Sequence, residues 1–151
     1  MRPATLADVR HVCEQMWDRG REELTYWPGA TPQKWLEDWK FRIEKGDAVA
    51  LGDGPDAILG CDKGGHGVIF TAFQATRDFE KPGVGSRITK EIRRAIPKLM
   101  AERKATTCFV YSLCVTHDAE KWFRLLGFEP DIYFQPHQCG PYMMRRFWRK
   151  A

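Results

Sequence analysis

The sequence predicts a single α+β domain with a mixed, mostly antiparallel sheet, its elements running β-α-α-β-β-β-α-β-α-β-β. Three observations carry this. A chain of 151 residues is enough for one domain that buries roughly two thirds of its unfolded surface. Apolar residues recur at helical spacing up to Gly46, then fall into short runs separated by glycine turns, and resume helical spacing after Pro82. No repeat, low-complexity stretch or long linker divides the chain, so residues 1–151 read as one unit.

Met1 to Ala4 reads as a very short strand. Thr5 and Asp8 are spaced as a helix N-cap and its acidic partner, and Leu6, Val9, Val12, Cys13 and Met16 form an apolar stripe that Gly20 ends. A loop with Tyr26, Trp27, Pro28, Gly29 and Pro32 follows. Thr31 caps a second helix with Pro32 in its first turn, where a missing N–H costs nothing. Trp35, Leu36, Trp39 and Ile43 give that helix its apolar face, and Gly46 stops it. Ala48–Leu51, Ala57–Cys61 and His66–Ala75 are strands, separated by Gly52-Asp53-Gly54-Pro55 and Gly64-Gly65. Turns this tight make an antiparallel meander, because parallel neighbours need a long crossover.

The chain then passes through Thr76–Pro82 into a helix at Gly83-Val84-Gly85, with Ile88, Ile92, Ala95, Ile96 and Leu99 on its buried face. Pro97 is expected to end or kink it, by removing a backbone bond and crowding the carbonyl of Arg93. Thr106–Val115 is a strand, and a short helix runs from Thr116 or His117 to Leu126, closed by Gly127. Two more strands follow, the last expected at Tyr142–Trp148 with a frayed basic tail.

Composition narrows the function classes. Hydrophobic residues at 43% and charged residues at 29% exclude a disordered chain. The net charge of +4 is unevenly spread: nine Lys/Arg face twelve Asp/Glu up to Thr76, and fifteen face eight from Arg77 onward. Five cysteines, odd in number and without a CxxC pair, read as reduced thiols of a cytoplasmic protein. No apolar run approaches the roughly 20 residues that span a bilayer, and the first residues lack a signal-peptide apolar region, so no membrane is expected. Cys61 with His66, and His137 with Cys139, lack the paired spacing of a zinc site, and no metal is expected. Arg145-Arg146-Phe147-Trp148-Arg149-Lys150 interleaves cations and aromatics, but a last strand with a basic outer face accounts for it and nucleic acid is not expected.

Chemistry concentrates where the third meander strand meets the following helix. Gly83 and Gly85 flank one residue at a helix start, an arrangement that exposes consecutive amides at the positive end of the helix dipole and so suits a phosphate or pyrophosphate. Lys81 and Arg87 bracket the turn and would add to that field. An ordinary glycine-rich turn has the same appearance, and neither the dinucleotide nor the P-loop fingerprint is matched.

Element order adds to this. A meander, a glycine turn into a helix, a strand, and a short helix ending Leu126-Gly127-Phe128 resemble the GNAT N-acetyltransferase superfamily. The resemblance is carried by Met1–Asp8, by Glu80-Lys81-Pro82-Gly83-Val84-Gly85 as a pyrophosphate loop, and by Ala119–Pro130 as the helix and strand beside the acyl-transfer centre. It implies acetyl-CoA as cosubstrate, with its pyrophosphate on Val84, Gly85 and Ser86, and Lys81, Gly83, Arg87, Phe73 and Gln74 completing that binding set. It further implies that His66–Ala75 splays from Thr106–Val115, opening a cleft in which a small-molecule or protein amine attacks the thioester directly.

Two positions depart from the family pattern. Glu80 stands where Gln or Arg is usual, and Phe123 stands where a tyrosine commonly serves as general acid. Replacement acids and bases are His117, with a suitable unperturbed pKa, Tyr111 on the strand lining the cleft, and Glu23, beside Glu22 in the region that shapes the amine site. A narrower resemblance, over Ala57–Phe128, is to small GNAT-like proteins of tailed phages, including a group related to an internal virion protein of short-tailed phages. It implies an alternative: a virion or assembly protein with weak or no catalysis, partnered by a phage structural protein or by its own copies.

Overall fold

The computed structural model of the protein describes residues 1–114 and 117–151, the side chains of residues 114–118 excepted. Its elements are β1 (Arg2–Pro3), α1 (Leu6–Glu14), α2 (Asp18–Tyr26), α3 (Pro32–Glu44), β2 (Ala48–Leu51), β3 (Ala57–Lys63) and β4 (Val68–Ala75). After a 3-10 turn at Arg77–Glu80 come α4 (Val84–Glu102), β5 (Thr107–Cys114), α5 (His117–Leu125), β6 (Glu129–Pro130), β7 (His137–Cys139) and β8 (Tyr142–Lys150). The strands form one sheet in the order β1-β2-β3-β4-β5-β8-β6, with β7 also paired to β8. Every pairing is antiparallel except β4 with β5. The expected mixed, mostly antiparallel α+β sheet is what forms.

Side-chain alternation gives the sheet two faces. Leu59, Cys61, Ile69, Cys108, Val110 and Phe147 pack against Ile88, Ile92, Ile96 and Met100 of α4 and Phe123 of α5 in one continuous core. On the opposite face Ala48, Ala50 and Ile58 meet Val9, Val12 and Trp39 from α1 and α3. A separate cluster on that second face joins Leu113, Cys139, Tyr142 and Met144, with Trp27 and Tyr111 against it. Gly60 lets Trp39 lie close on the strand: a Cβ there would sit 2.9 Å from the indole and 2.7 Å from Arg42 Cδ.

The Thr5 cap forms as the spacing predicts, a reciprocal capping box in which Thr5 Oγ1 accepts from Asp8 N–H and Asp8 Oδ2 accepts from Thr5 N–H at 2.8 Å. Five expectations are corrected. The first helix ends at Glu14 rather than Gly20, because residues 15–17 are captured by the end of β4. Trp17 N–H donates to Ala75 O, Arg77 N–H donates to Gln15 O, and Met16 bridges Thr76. A separate helix, α2, then occupies what read as helix end and loop. Pro97 does not end α4, since the helix runs on to Glu102 with Pro97 on its exposed side. The last strand reaches Lys150 rather than fraying after Trp148, because Arg149 and Lys150 pair with Cys108 and Thr107. A short strand, β7, adds to the sheet beside β8.

Candidate functional site

The parallel β4–β5 ladder covers Val68–Thr71 against Thr107–Val110 and goes no further. Beyond Thr71 and Val110 the two strands part, while β5 stays paired to β8 over its full length. Parted parallel strands leave a hole through the sheet, and a cavity of about 740 Å³ occupies it. Thr71, Phe73, Ser112, Ala119, Trp122 and Phe123 line it on the α4–α5 side. Glu23, Trp27, Trp35, Trp39, Phe70 and Tyr111 line it on the α2–α3 side. The volume lies within the ordinary range of small-molecule sites, roughly 300–1,000 Å³.

At the cavity's edge stands Phe79, in the turn that leads from β4 to α4. Its ring packs edge-on to Trp17, Phe73 and Trp122, with centroids 5.3, 5.6 and 6.1 Å apart. Its carbonyl lies against Gly85, where a Cβ would come within 2.6 Å of it. Gly83 holds φ at +84° as the N-cap of α4, a left-handed conformation suited to glycine. Within the first turn Val84 N–H donates to Lys81 O and Arg87 N–H to Gly83 O. That leaves Gly85 and Ser86, among the described residues, as first-turn amides no backbone carbonyl takes. Trp122 ties the far wall to this turn, its Nε1 donating to Thr89 Oγ1 at 3.0 Å, while Thr89 donates to Gly85 O at 2.7 Å.

The flanking cations are otherwise engaged. Lys81 pairs with Asp78 at 2.8 Å, and Arg87 bridges Asp53 and Asp56 at 2.7 and 2.8 Å. The field at the turn therefore comes from amides and helix dipole, with those two side chains neutralised locally. Glu80 is exposed.

Of the proton-transfer candidates, Glu23 and Tyr111 are brought to the same cavity. Glu23 is held by Arg19 at 3.0 Å; burial pushes its carboxyl above the ordinary range, with Arg19 opposing part of that rise. Tyr111 stacks on Phe70 at 5.8 Å and accepts from Arg146 at 3.4 Å. His117 begins α5, but its side chain lies outside the described residues, as does Thr116. Phe123 is buried, stacked on Phe147 at 4.5 Å, and is part of the cavity wall. Glu22 does not join the site: it sits beside Tyr142, whose phenol its carboxylate and burial push up to about 12. Phe73 and Gln74 line the cavity, whereas Lys81, Gly83, Val84, Gly85, Ser86 and Arg87 stand at the helix start beyond its edge.

Sequence reasoning missed most of the aromatic wall. Five of the six tryptophans, Trp17, Trp27, Trp35, Trp39 and Trp122, line this one cavity. Helical spacing marked three of them as buried without saying what they faced. Cys13, Cys61, Cys108 and Cys139 are free thiols, burial pushing Cys108 up to about 12. Among the described residues no group of three or more His, Cys, Asp or Glu could hold a metal. None of the helices described is long and apolar enough to cross a membrane.

No family model matches the chain, and neither does any curated protein. Solved structures do. A GNAT-family acetyltransferase from Bacillus anthracis aligns over 99% of this chain and 92% of its own, at 12% identity and a TM-score of 0.67. A variant of spermidine N-acetyltransferase SpeG from Vibrio cholerae aligns over 99% and 93%, at 12% identity and a TM-score of 0.70. AAC(6')-Ib, solved with ribostamycin and coenzyme A, aligns over 99% and 92%, at 15% identity and a TM-score of 0.66. The chain has the GNAT fold.

Proposed function

We propose that the protein is an acyl-CoA-dependent N-acetyltransferase that moves an acetyl group from acetyl-CoA to an amine by direct attack. The observation that carries this is the parted β4–β5 pair, whose cavity runs from Phe79, just ahead of the glycine turn of α4, through to the opposite face of the sheet. Local geometry fits the cosubstrate: two first-turn amides lack backbone partners, and nothing lies within 4 Å of the place a Cβ would take at Gly83. Acetyl-CoA supplies an electrophilic thioester; a C–N bond forms to the amine, the C–S bond breaks, the amine loses a proton and the thiolate gains one.

The chain's own residues divide the remaining work. Gly85 and Ser86 amides hold the pyrophosphate at the positive end of α4. Phe73, Phe79 and Trp122 wall the apolar passage and exclude water from it. Glu23 takes the amine proton, its raised pKa making it a stronger base than an exposed carboxylate. Tyr111, the one phenol among the described lining residues, returns a proton to the thiolate.

The test is binding, measured as thermal stability with and without millimolar acetyl-CoA. A ligand present at a hundred times its Kd stabilises the fold by about 2.7 kcal/mol, so the melting temperature should rise by several degrees. Gly85→Gln should abolish that rise while the far-ultraviolet circular dichroism stays unchanged. No rise with the unaltered protein would overturn the reading. The second reading from the sequence, an assembly protein on the same fold, gains no support from the cavity, and the same measurement separates the two.

A further inference from the structure

We infer that the acceptor is a monoamine on an apolar, aromatic body, entering from the α2–α3 side of the cavity. This rests on the acetyltransfer reading for the reaction, and on the wall itself for the class of substrate. Among the described residues, the two sheet faces meet where β4 and β5 part. A thioester reached from the glycine turn of α4 occupies the α4–α5 side, which leaves the opposite mouth for the nucleophile.

That mouth is aromatic. Trp35 and Trp39 lie 6.0 Å apart and tilted, and Phe70 stacks on Tyr111 across the first part of the cleft. Trp27 faces them from the end of α2. Trp27, Trp35, Phe70 and Tyr111 are all only partly buried, so the fold leaves apolar ring surface that a ligand can cover. Covering that ring surface takes apolar area out of water, which favours binding.

The charges say how many ammonium groups the ligand carries. Arg19, Lys34 and Arg42 line the cavity against Glu23, Asp38 and Asp62, a net of zero. Arg42 donates to both oxygens of Asp62, at 2.9 and 2.6 Å, and Arg19 holds Glu23. Asp38 is exposed. A polyamine or an aminoglycoside needs several carboxylates left unspent along its length, because each buried charge must be matched. A single amine needs one acceptor for its proton, which Glu23 supplies, and its cationic form is drawn to tryptophan faces. Two of the solved neighbours are a spermidine N-acetyltransferase and AAC(6')-Ib, the latter solved with ribostamycin; this wall suits a different ligand.

The experiment is a tryptophan fluorescence titration of the protein alone with phenethylamine and with spermidine, run beside the acetyl-CoA melting measurement. Phenethylamine should saturate at a concentration about tenfold lower than spermidine. Trp27→Ala should raise its half-saturation about fivefold or more and Trp27→Phe should recover most of the loss, both keeping the acetyl-CoA rise in melting temperature. Spermidine saturating as well as phenethylamine, or Trp27→Ala binding phenethylamine unchanged, would overturn the inference. Saturable phenethylamine binding without any acetyl-CoA response supports this site and sinks the acetyltransfer reading. An acetyl-CoA response with spermidine preferred does the reverse.

Discussion

The two faces of the sheet solve the same packing problem differently. On the α4–α5 face one core runs unbroken from Leu51 to Phe147, built largely of Ile, Leu, Ala and Cys side chains that fill space without polar atoms. On the other face the core is split into two clusters, one under α1 and α3 and one around β8, and aromatic rings stand on both sides of the divide. The difference teaches where the chain can spend side chains on something other than stability. A continuous core on one face secures the sheet, so the second can be interrupted at the parted strands and keep large rings only partly covered.

The sharpest way to break that comparison is Trp39→Ala. Trp39 is 1% exposed, the largest side chain of the α1–α3 cluster, and one wall of the cavity. Removing a buried tryptophan costs about 3–5 kcal/mol, so denaturant midpoints should fall steeply and phenethylamine should no longer quench fluorescence saturably. A cost under about 1 kcal/mol, well below that range, would mean that the divided face contributes little and that the α4 core alone holds the fold.

Much of this division is legible in the sequence. The Thr5 and Thr31 caps, the meander and the apolar face of α4 are local patterns, each written within a few residues of itself. What was not readable depends on contacts between distant residues. Nothing in Gln15-Met16-Trp17 announces that the end of β4 will take their backbone groups, yet that capture ends α1, starts α2 and sets Trp17 against Phe79. Lys81 and Arg87 looked available to an anion because Asp78, Asp53 and Asp56 are matched to them only in three dimensions. Trp35 and Trp39 carried a helical period, which says that a side chain is covered but not by what. Pro97 was expected to end or kink its helix, and in the structure the helix continues past it.

A smaller effect probes the edge of the divided face. Arg2 grips Asp8 through both carboxylate oxygens, at 2.6 and 2.7 Å, and this with the Thr5 bonds holds the Asp8 carboxyl down at about 2. A carboxylate with a depressed folded pKa stabilises the protein above its unfolded pKa, and that stability is lost as pH falls towards the folded value. The contribution is about 1–2 kcal/mol after allowing for the exposed side of Arg2. It should be full at pH 6 and fade between about pH 4 and pH 2. Asp8→Asn should remove that part of the acid dependence in urea titrations, and an unchanged profile would show that the α1 edge owes nothing to this pair.

The smallest expected effect joins the continuous face to the glycine turn. Trp122 Nε1 donates to Thr89 Oγ1, and Thr89 in turn donates to the carbonyl of Gly85. Thr89→Val keeps the shape of the side chain but deletes both bonds, leaving a half-buried indole N–H without its partner. One net hydrogen bond is worth about 1 kcal/mol, and in a helix of nineteen residues with its apolar face fully packed that loss should shift the melting temperature only slightly. Its informative consequence lies elsewhere. If the bond positions the first turn of α4 for an anion, Thr89→Val should reduce the acetyl-CoA stabilisation by more than it reduces the stability of the protein alone. Equal losses in the two measurements would place Trp122 and Thr89 in the core, with no part in shaping the turn that separates this face from a merely packed one.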